Sequence, residues 1–269
     1  MKILLISPPW GNIYGKYHDV ARIGSTYPPL GLCYLSAVLK KEGHDVKIID
    51  AEAEGFNIEM IIKKFKAYNP NIVGIQGSSP LMDQASGIAK EIKRVKNVPI
   101  VLGGVHVTVL RTEVLREHEC FDYGMVGESE FLFRKFIDAL EKNQEFDSIP
   151  GLIYRKNGKI IFTGERPIIQ NLDELPFPDR TSLNFDKYLW SVRKKGIVKL
   201  ATIQTSRGCP YKCVFCTQAW TFSNSLRFRD PILVVDEIEE IVKNTPATHI
   251  VFIDDTIAIK KIPFKGDMQ

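Results

Sequence analysis

The first 145 or so residues alternate short apolar runs with amphipathic stretches, and this alternation limits the possible folds more than any other feature. Residues 2–6, 45–49, 72–75, 99–102 and 123–126 read as strands. Residues 30–41, 58–67, 82–95, 112–119 and 129–141 read as helices, with Leu32, Leu35, Val38 and Leu39 on one face of the first and Phe133, Phe136, Ile137 and Leu140 on one face of the last. Strands spaced by helices in this way predict βαβ units and a parallel sheet. Uninterrupted runs such as Ile72-Val73-Gly74-Ile75 suit strands covered on both faces.

The pattern then changes. Residues 152–162 read as a hairpin turning at Asn157-Gly158. The segment Leu172-Asp173-Glu174-Leu175-Pro176-Phe177-Pro178-Asp179 carries two prolines that forbid a helix or central strand, so it reads as a linker. Residues 199–204 predict a strand, 231–243 a helix opened by Pro231, and 249–253 another strand ending at Asp254-Asp255. The expected organisation is three parts: 1–145, a hairpin and linker over 146–195, and a second unit over 196–269.

Composition narrows the function classes. Charged residues are 25% of the chain, and 36 Lys+Arg face 32 Asp+Glu for a net charge of +4, with no long basic run. Wholesale disorder and nucleic-acid binding are therefore not expected. No apolar stretch has the roughly 18 residues of a membrane span, and the first residues lack a signal-peptide pattern. Five cysteines, three of them within residues 209–216, do not form a disulfide framework. The expectation is a cytoplasmic protein whose clustered cysteines are ligands, with Cys33 and Cys120 as buried thiols and His44 capping a helix end beside Gly43.

Chemistry concentrates in Cys209-Pro210-Tyr211-Lys212-Cys213-Val214-Phe215-Cys216. Three thiolates this close can wrap one metal centre. A structural zinc site needs four ligands, commonly two close pairs of cysteines, and only three cysteines cluster here. A [4Fe-4S] cluster on three cysteines leaves one iron open. With its C-x3-C-x2-C spacing and an aromatic residue before the last cysteine, the run resembles the signature of radical S-adenosylmethionine (radical SAM) enzymes. That resemblance implies a cluster on Cys209, Cys213 and Cys216, binding of S-adenosylmethionine (SAM) at the open iron, and formation of a 5′-deoxyadenosyl radical. It also implies that the strand, cysteine loop, helix and strand over 199–253 begin a (β/α) barrel, whose active groups gather at strand C-termini. Asp254 and Asp255 would then stand where family members hold the SAM ammonium; a helix cap or solvated turn is the alternative.

The first half resembles the cobalamin (B12)-binding domain that precedes such barrels. The matching pieces are Ser7-Pro8-Pro9, Pro28-Pro29-Leu30-Gly31-Leu32, Gly43-His44-Asp45-Val46, Gly103-Gly104-Val105-His106 and Gly127-Glu128-Ser129-Glu130. The resemblance implies a flavodoxin/Rossmann-like parallel-sheet domain, with Ser7, Gln76, Ser78, Gly103, Gly104, His106 and Glu128 near cobalamin. Glycines at strand ends let a bulky ligand approach the backbone. The Asp-x-His-x-x-Gly motif that ligates cobalt in some cobalamin domains is missing; residues 18–24 have the letters in the wrong order.

As a whole, the resemblance implies a cobalamin-dependent radical SAM enzyme of methyltransferase type, acting on a small-molecule substrate and drawing electrons from a flavodoxin or ferredoxin. From Cys209 the chain runs only to Gln269, too short for a whole barrel, so it reads as truncated. The alternatives are a non-catalytic cobalamin-binding module with a vestigial cysteine loop, and a zinc-stabilised α/β binding protein.

Overall fold

A computed structural model describes residues 1–10, 15–17, 26–218 and 223–257. Residues 18–24 and the tail 258–269, both weighed above, lie outside the described residues.

Five parallel strands, β1 (Lys2–Ser7), β2 (Asp45–Asp50), β3 (Ile72–Gln76), β4 (Ile100–Gly103) and β5 (Tyr123–Met125), form the centre of a sheet ordered β2-β1-β3-β4-β5. This is the flavodoxin-like order, whose switch point lies between β1 and β3. The period of two is visible in β1: Ile3 and Leu5 enter one core, Leu4 and Ile6 the other, and all four are buried. Helices α1 (Leu30–Lys41) and α7 (Glu130–Glu141) cover the first face. The second face is covered by α3 (Ile58–Tyr68), α4 (Met82–Val95), α5 (Val105–Leu110) and α6 (Thr112–Glu117). A short helix, α2 (Ala51–Glu54), follows β2.

Two features depart from the sequence expectation. The hairpin β6 (Leu152–Lys156) and β7 (Lys159–Phe162) is no separate segment; β6 pairs antiparallel with β5 and extends the sheet to seven strands. The linker is packed as well. Leu172 and Leu175 enter the α1/α7 core, and Asp179 accepts from Ser36 at 2.5 Å and pairs with Lys40 at 2.6 Å. His44 caps α1 through its backbone, donating to Leu39 at 3.2 Å, while its ring Nδ1 lies 3.1 Å from the Met1 amine.

The second unit is a three-stranded sheet. Its central strand β9 (Gly196–Ile203) pairs antiparallel with β8 (Leu189–Val192) and parallel with β12 (His249–Phe252). Between them come a two-residue pair, β10 (Ser206–Arg207) with β11 (Arg227–Phe228), and α8 (Pro231–Asn244). Asp230 caps α8 by accepting from Ile232 N at 2.8 Å, with Pro231 at the first turn. A third core of Ala53, Phe185, Tyr188, Leu200, Ala201 and Ile241 joins this unit to the first.

Tyr188 crosses that junction and donates to Asp50 Oδ2 at 2.9 Å. Burial pushes the Asp50 carboxyl up to about 6, against the Tyr188 and Ala53 hydrogen bonds that lower it. The folded chain therefore holds this proton more tightly than the unfolded one, so unfolding releases it and stability falls as pH rises from about 4 through about 6. The difference from an ordinary aspartate is worth about 3 kcal/mol at most. Asp50→Asn is expected to flatten the dependence of the unfolding midpoint on pH across that window; an unchanged slope in the variant would refute the assignment.

Candidate functional site

A cavity of about 320 Å³ opens at the C-terminal edge of the large sheet, where such folds bind ligands. Gly74, Ile75 and Gln76 of β3, Gly103 at the end of β4 with Gly104 after it, and Gly127 after β5 form its floor. Leu30, Gly31 and Tyr34 of α1 and Glu130 and Phe133 of α7 form its flank. The backbone here is tight. Gly104 has φ +102°, and a Cβ on it would sit 2.5 Å from the Gly77 carbonyl oxygen. Gly77 N donates to Gly103 O at 2.8 Å, so the two loops meet backbone to backbone. Gly103 itself faces open space, leaving room for a ligand.

The second unit supplies the opposite wall. Gln204, Arg207, Gln218, Ile253 and Asp255 border the same cavity. Gln218 lies two residues past Cys216, so the cysteine segment reaches the cavity by its C-terminal side. All five cysteines are free thiols; Cys209 is half-buried, and Cys213 and Cys216 are exposed. Phe215 beside them is 88% exposed, and Val214 and Tyr211 are exposed too. The loop is held at its base: Cys209 N donates to Ser223 O at 3.3 Å, and Gly208 takes φ +96°, where a Cβ would lie 2.2 Å from Ser225 O.

The two aspartates separate by role. Asp254 accepts from Thr205 N at 3.0 Å, Thr205 Oγ1 at 2.8 Å and Ser206 Oγ at 2.5 Å, which locks the end of β9 to the end of β12. Asp255 turns to the cavity. Its Oδ1 accepts from Gln218 Nε2, while its Oδ2 is buried without a hydrogen-bond partner. Burial, and then the neighbouring Asp254 charge, raise its carboxyl above the usual range. A buried carboxylate oxygen left open in this way suits a cationic ligand group.

Among the other predicted residues, Gln76, Gly103, Gly104 and Glu128 border the cavity. Ser7, Ser78 and His106 are not among its lining residues; His106 Nδ1 lies 2.9 Å from Ser79 Oγ, and burial lowers its basicity. Glu128 differs from expectation in what it holds. Its carboxylate meets Arg227 at 2.5 and 3.0 Å and accepts from Ile169 N at 3.0 Å, so it is an ion-pair hub rather than a free ligand. Sequence reasoning missed Glu130, Tyr34, Gln204 and Arg207, which meet in one buried cluster on the cavity wall. The signal was a lone arginine beside the cysteine run; its partner, 77 residues earlier, stands in the Gly127-Glu128-Ser129-Glu130 segment, where nothing local marks its pairing with Arg207.

Among the described residues, ligand atoms of His44, Asp138 and Glu141 fall within 4.8 Å of one another. They belong to the opposite, N-terminal edge of the sheet, where the Met1 amine already lies 3.2 Å from Glu141. No helix among the described residues is long and apolar enough to cross a membrane.

Residues 19–137 match the model of the B12 binding domain. The chain is 39% identical over 97% of its length to an uncharacterized methyltransferase of Pyrococcus horikoshii, covering 55% of that protein. It is 31% identical over 98% of its length to the anaerobic magnesium-protoporphyrin IX monomethyl ester cyclase of Rubrivivax gelatinosus, covering 47% of it. The chain thus spans about half the length of the curated relatives it matches. Among solved structures, the cobalamin-dependent SAM radical enzyme OxsB superposes with a TM-score of 0.76 at 22% identity, over 97% of this chain and 35% of that one. The radical SAM methyltransferase TsrM of Kitasatospora setae superposes with a TM-score of 0.72 at 20% identity, over 94% of this chain and 47% of that one. The common fold includes both units.

Proposed function

Since the chain belongs to the radical SAM proteins that carry a B12-binding domain, we propose that it holds cobalamin on the sheet edge, a [4Fe-4S] cluster on Cys209, Cys213 and Cys216, and SAM between them. The observation that carries this reading is the shared cavity: glycine-rich strand ends form its floor, and the cysteine-bearing unit forms its other wall. The donor set fits. Three free thiols on one exposed loop suit a cluster with an open iron, and the glycine floor leaves backbone accessible to a broad planar ligand. When bound, the cluster supplies one-electron reduction of SAM and the cobalamin a carrier for a methyl group.

The chain's own residues position and shield. Asp254 fixes the loop base, and Asp255 offers its unpartnered oxygen to the SAM ammonium. The apolar flank of Leu30, Leu35 and Phe133 keeps water from the ligand's edge. We assign it a small-molecule substrate, a flavodoxin- or ferredoxin-type electron donor and a cytoplasmic setting, with a methyl transfer or ring-forming reaction as the outcome. Asp255→Asn is expected to weaken SAM binding by about 10- to 100-fold, the worth of one charge-assisted hydrogen bond. The readout is the SAM concentration needed to perturb the EPR signal of the reduced cluster. Equal half-saturation in the variant and the native chain would contradict the role given to Asp255.

A further inference from the structure

The cavity has two walls from two units, and the arrangement must be held to better than an ångström or so for chemistry between ligands on opposite walls. Arg207 is built for that task. It sits two residues before Cys209, and its side chain is 3% exposed. Its Nη2 donates to Glu130 Oε1 at 2.6 Å, and its Nε to Gln204 Oε1 at 2.9 Å. The guanidinium lies over the Tyr34 ring, 5.2 Å from its centroid, and Nη1 is 4.0 Å from Glu128. Glu130 and Tyr34 belong to the sheet unit, the first opening α7 and the second lying within α1; Gln204 and Arg207 belong to the cysteine unit.

The path from this ion pair to the thiol has little slack. Arg207 pairs with Arg227 in the β10–β11 ladder, Gly208 is pressed against Ser225, and Cys209 is bonded to Ser223. Past Cys209 the loop is exposed as far as Gln218, which donates to Asp255, so this base is its anchor on the N-terminal side. Both partners are charged. Burial alone would push the Glu130 carboxyl up, and the Arg207 guanidinium more than offsets it. Removing either side leaves the other charge buried without its hydrogen-bonded counter-ion, the next carboxylate for Arg207 being Glu128 at 4.0 Å.

We propose that Arg207 is a positioning residue: through Glu130 it sets where the cysteine loop stands across the cavity, and so fixes the separation between the cluster on that loop and the corrin on the sheet edge. The proposal rests on the functional reading above. Arg227 and Glu128 form a parallel tie, but one that ends on the strand and on Ile169 rather than beside a cysteine. Arg207 alone among these arginines is one glycine away from a ligand thiol.

The test is pulsed EPR on the full chain carrying both centres, measuring the dipolar coupling between Co(II) cobalamin and the reduced cluster. The native chain is expected to give one narrow distance distribution. Arg207→Gln is expected to shift the mean or at least double the width, with iron and cobalamin contents retained. Arg207→Lys keeps a cation for Glu130 and is expected to recover most of the native narrowness. Glu130→Gln should match Arg207→Gln, and the double variant should be no broader than either single one, as expected of a coupled pair. A native distribution in Arg207→Gln overturns the proposal, even with a lowered unfolding midpoint, because a merely structural role would move stability alone. If Arg207→Gln does not fold, a native distribution in Glu130→Gln overturns it equally. A native chain that takes up no cluster or no cobalamin gives no coupling at all, and overturns the functional reading together with this inference.

Discussion

Alanine at Cys209, Cys213 and Cys216 together is expected to take iron and sulfide uptake on anaerobic reconstitution from one full cluster to background. The effect is all or none because no other cysteine is in reach of the loop: Cys33 is buried on α1 with its thiol pushed up to about 12, and Cys120 follows α6 on the far face. The fold should survive, since the three thiols are half-buried or exposed and surface changes of this kind cost within about 0.5 kcal/mol. Colorimetric iron and sulfide assays, with a thermal melt on the same sample, check both halves. Iron retained by the triple variant would move the cluster elsewhere.

Glu237→Ala is expected to be the most destabilising single change in the second unit, by about 3–5 kcal/mol. Glu237 is fully buried on α8 between two arginines, with Arg180 at 2.6 Å and Arg229 at 2.5 Å. Arg180 also donates to Thr202 O at 2.8 Å, and Arg229 to Gln204 O at 3.1 Å. One carboxylate thus ties the 172–181 segment, β9 and α8 together. Removing it buries two guanidinium charges with no counter-ion. Denaturant unfolding of the variant beside the native chain measures the loss; a change below about 1 kcal/mol would mean that the arginines find other partners.

The parallel sheet was readable because each strand and each helix writes its own period into the sequence. Helices α1 and α4 begin and end at the residues where their apolar spacing does. Helix α5 was missed: Val105–Leu110 carries three valines and a threonine, which score as strand, and its helical form is imposed by Gly104 and by packing of Val107 into the core. Strand β8 was hidden for a similar reason, since Leu189–Val192 is held by pairing with β9 rather than by its own pattern. The hairpin was legible from Asn157-Gly158, but its attachment to β5 was not, because pairing between distant segments leaves no local trace.

The site divides along the same line. The cysteine run is contiguous and was legible; so were the glycines after β4. Asp254 and Asp255 were found as a pair, but adjacent residues at a strand end point opposite ways, and only the fold shows that one binds the loop and the other faces the cavity. Glu128 was placed near cobalamin by the resemblance of its segment, whereas the fold shows three arginines from three later segments surrounding it.

In the proposed function, one chain brings a cluster-bearing loop and a cobalamin-bearing sheet edge to a single cavity. Anaerobic native mass spectrometry of the reconstituted chain, incubated with cobalamin, tests it most directly. The expected result is a population carrying one four-iron, four-sulfide cluster and one cobalamin on the same molecule, with the cluster increment alone lost in the triple cysteine variant. A chain that binds a single zinc ion at the cysteines, or that takes up the cluster but no cobalamin, would contradict it.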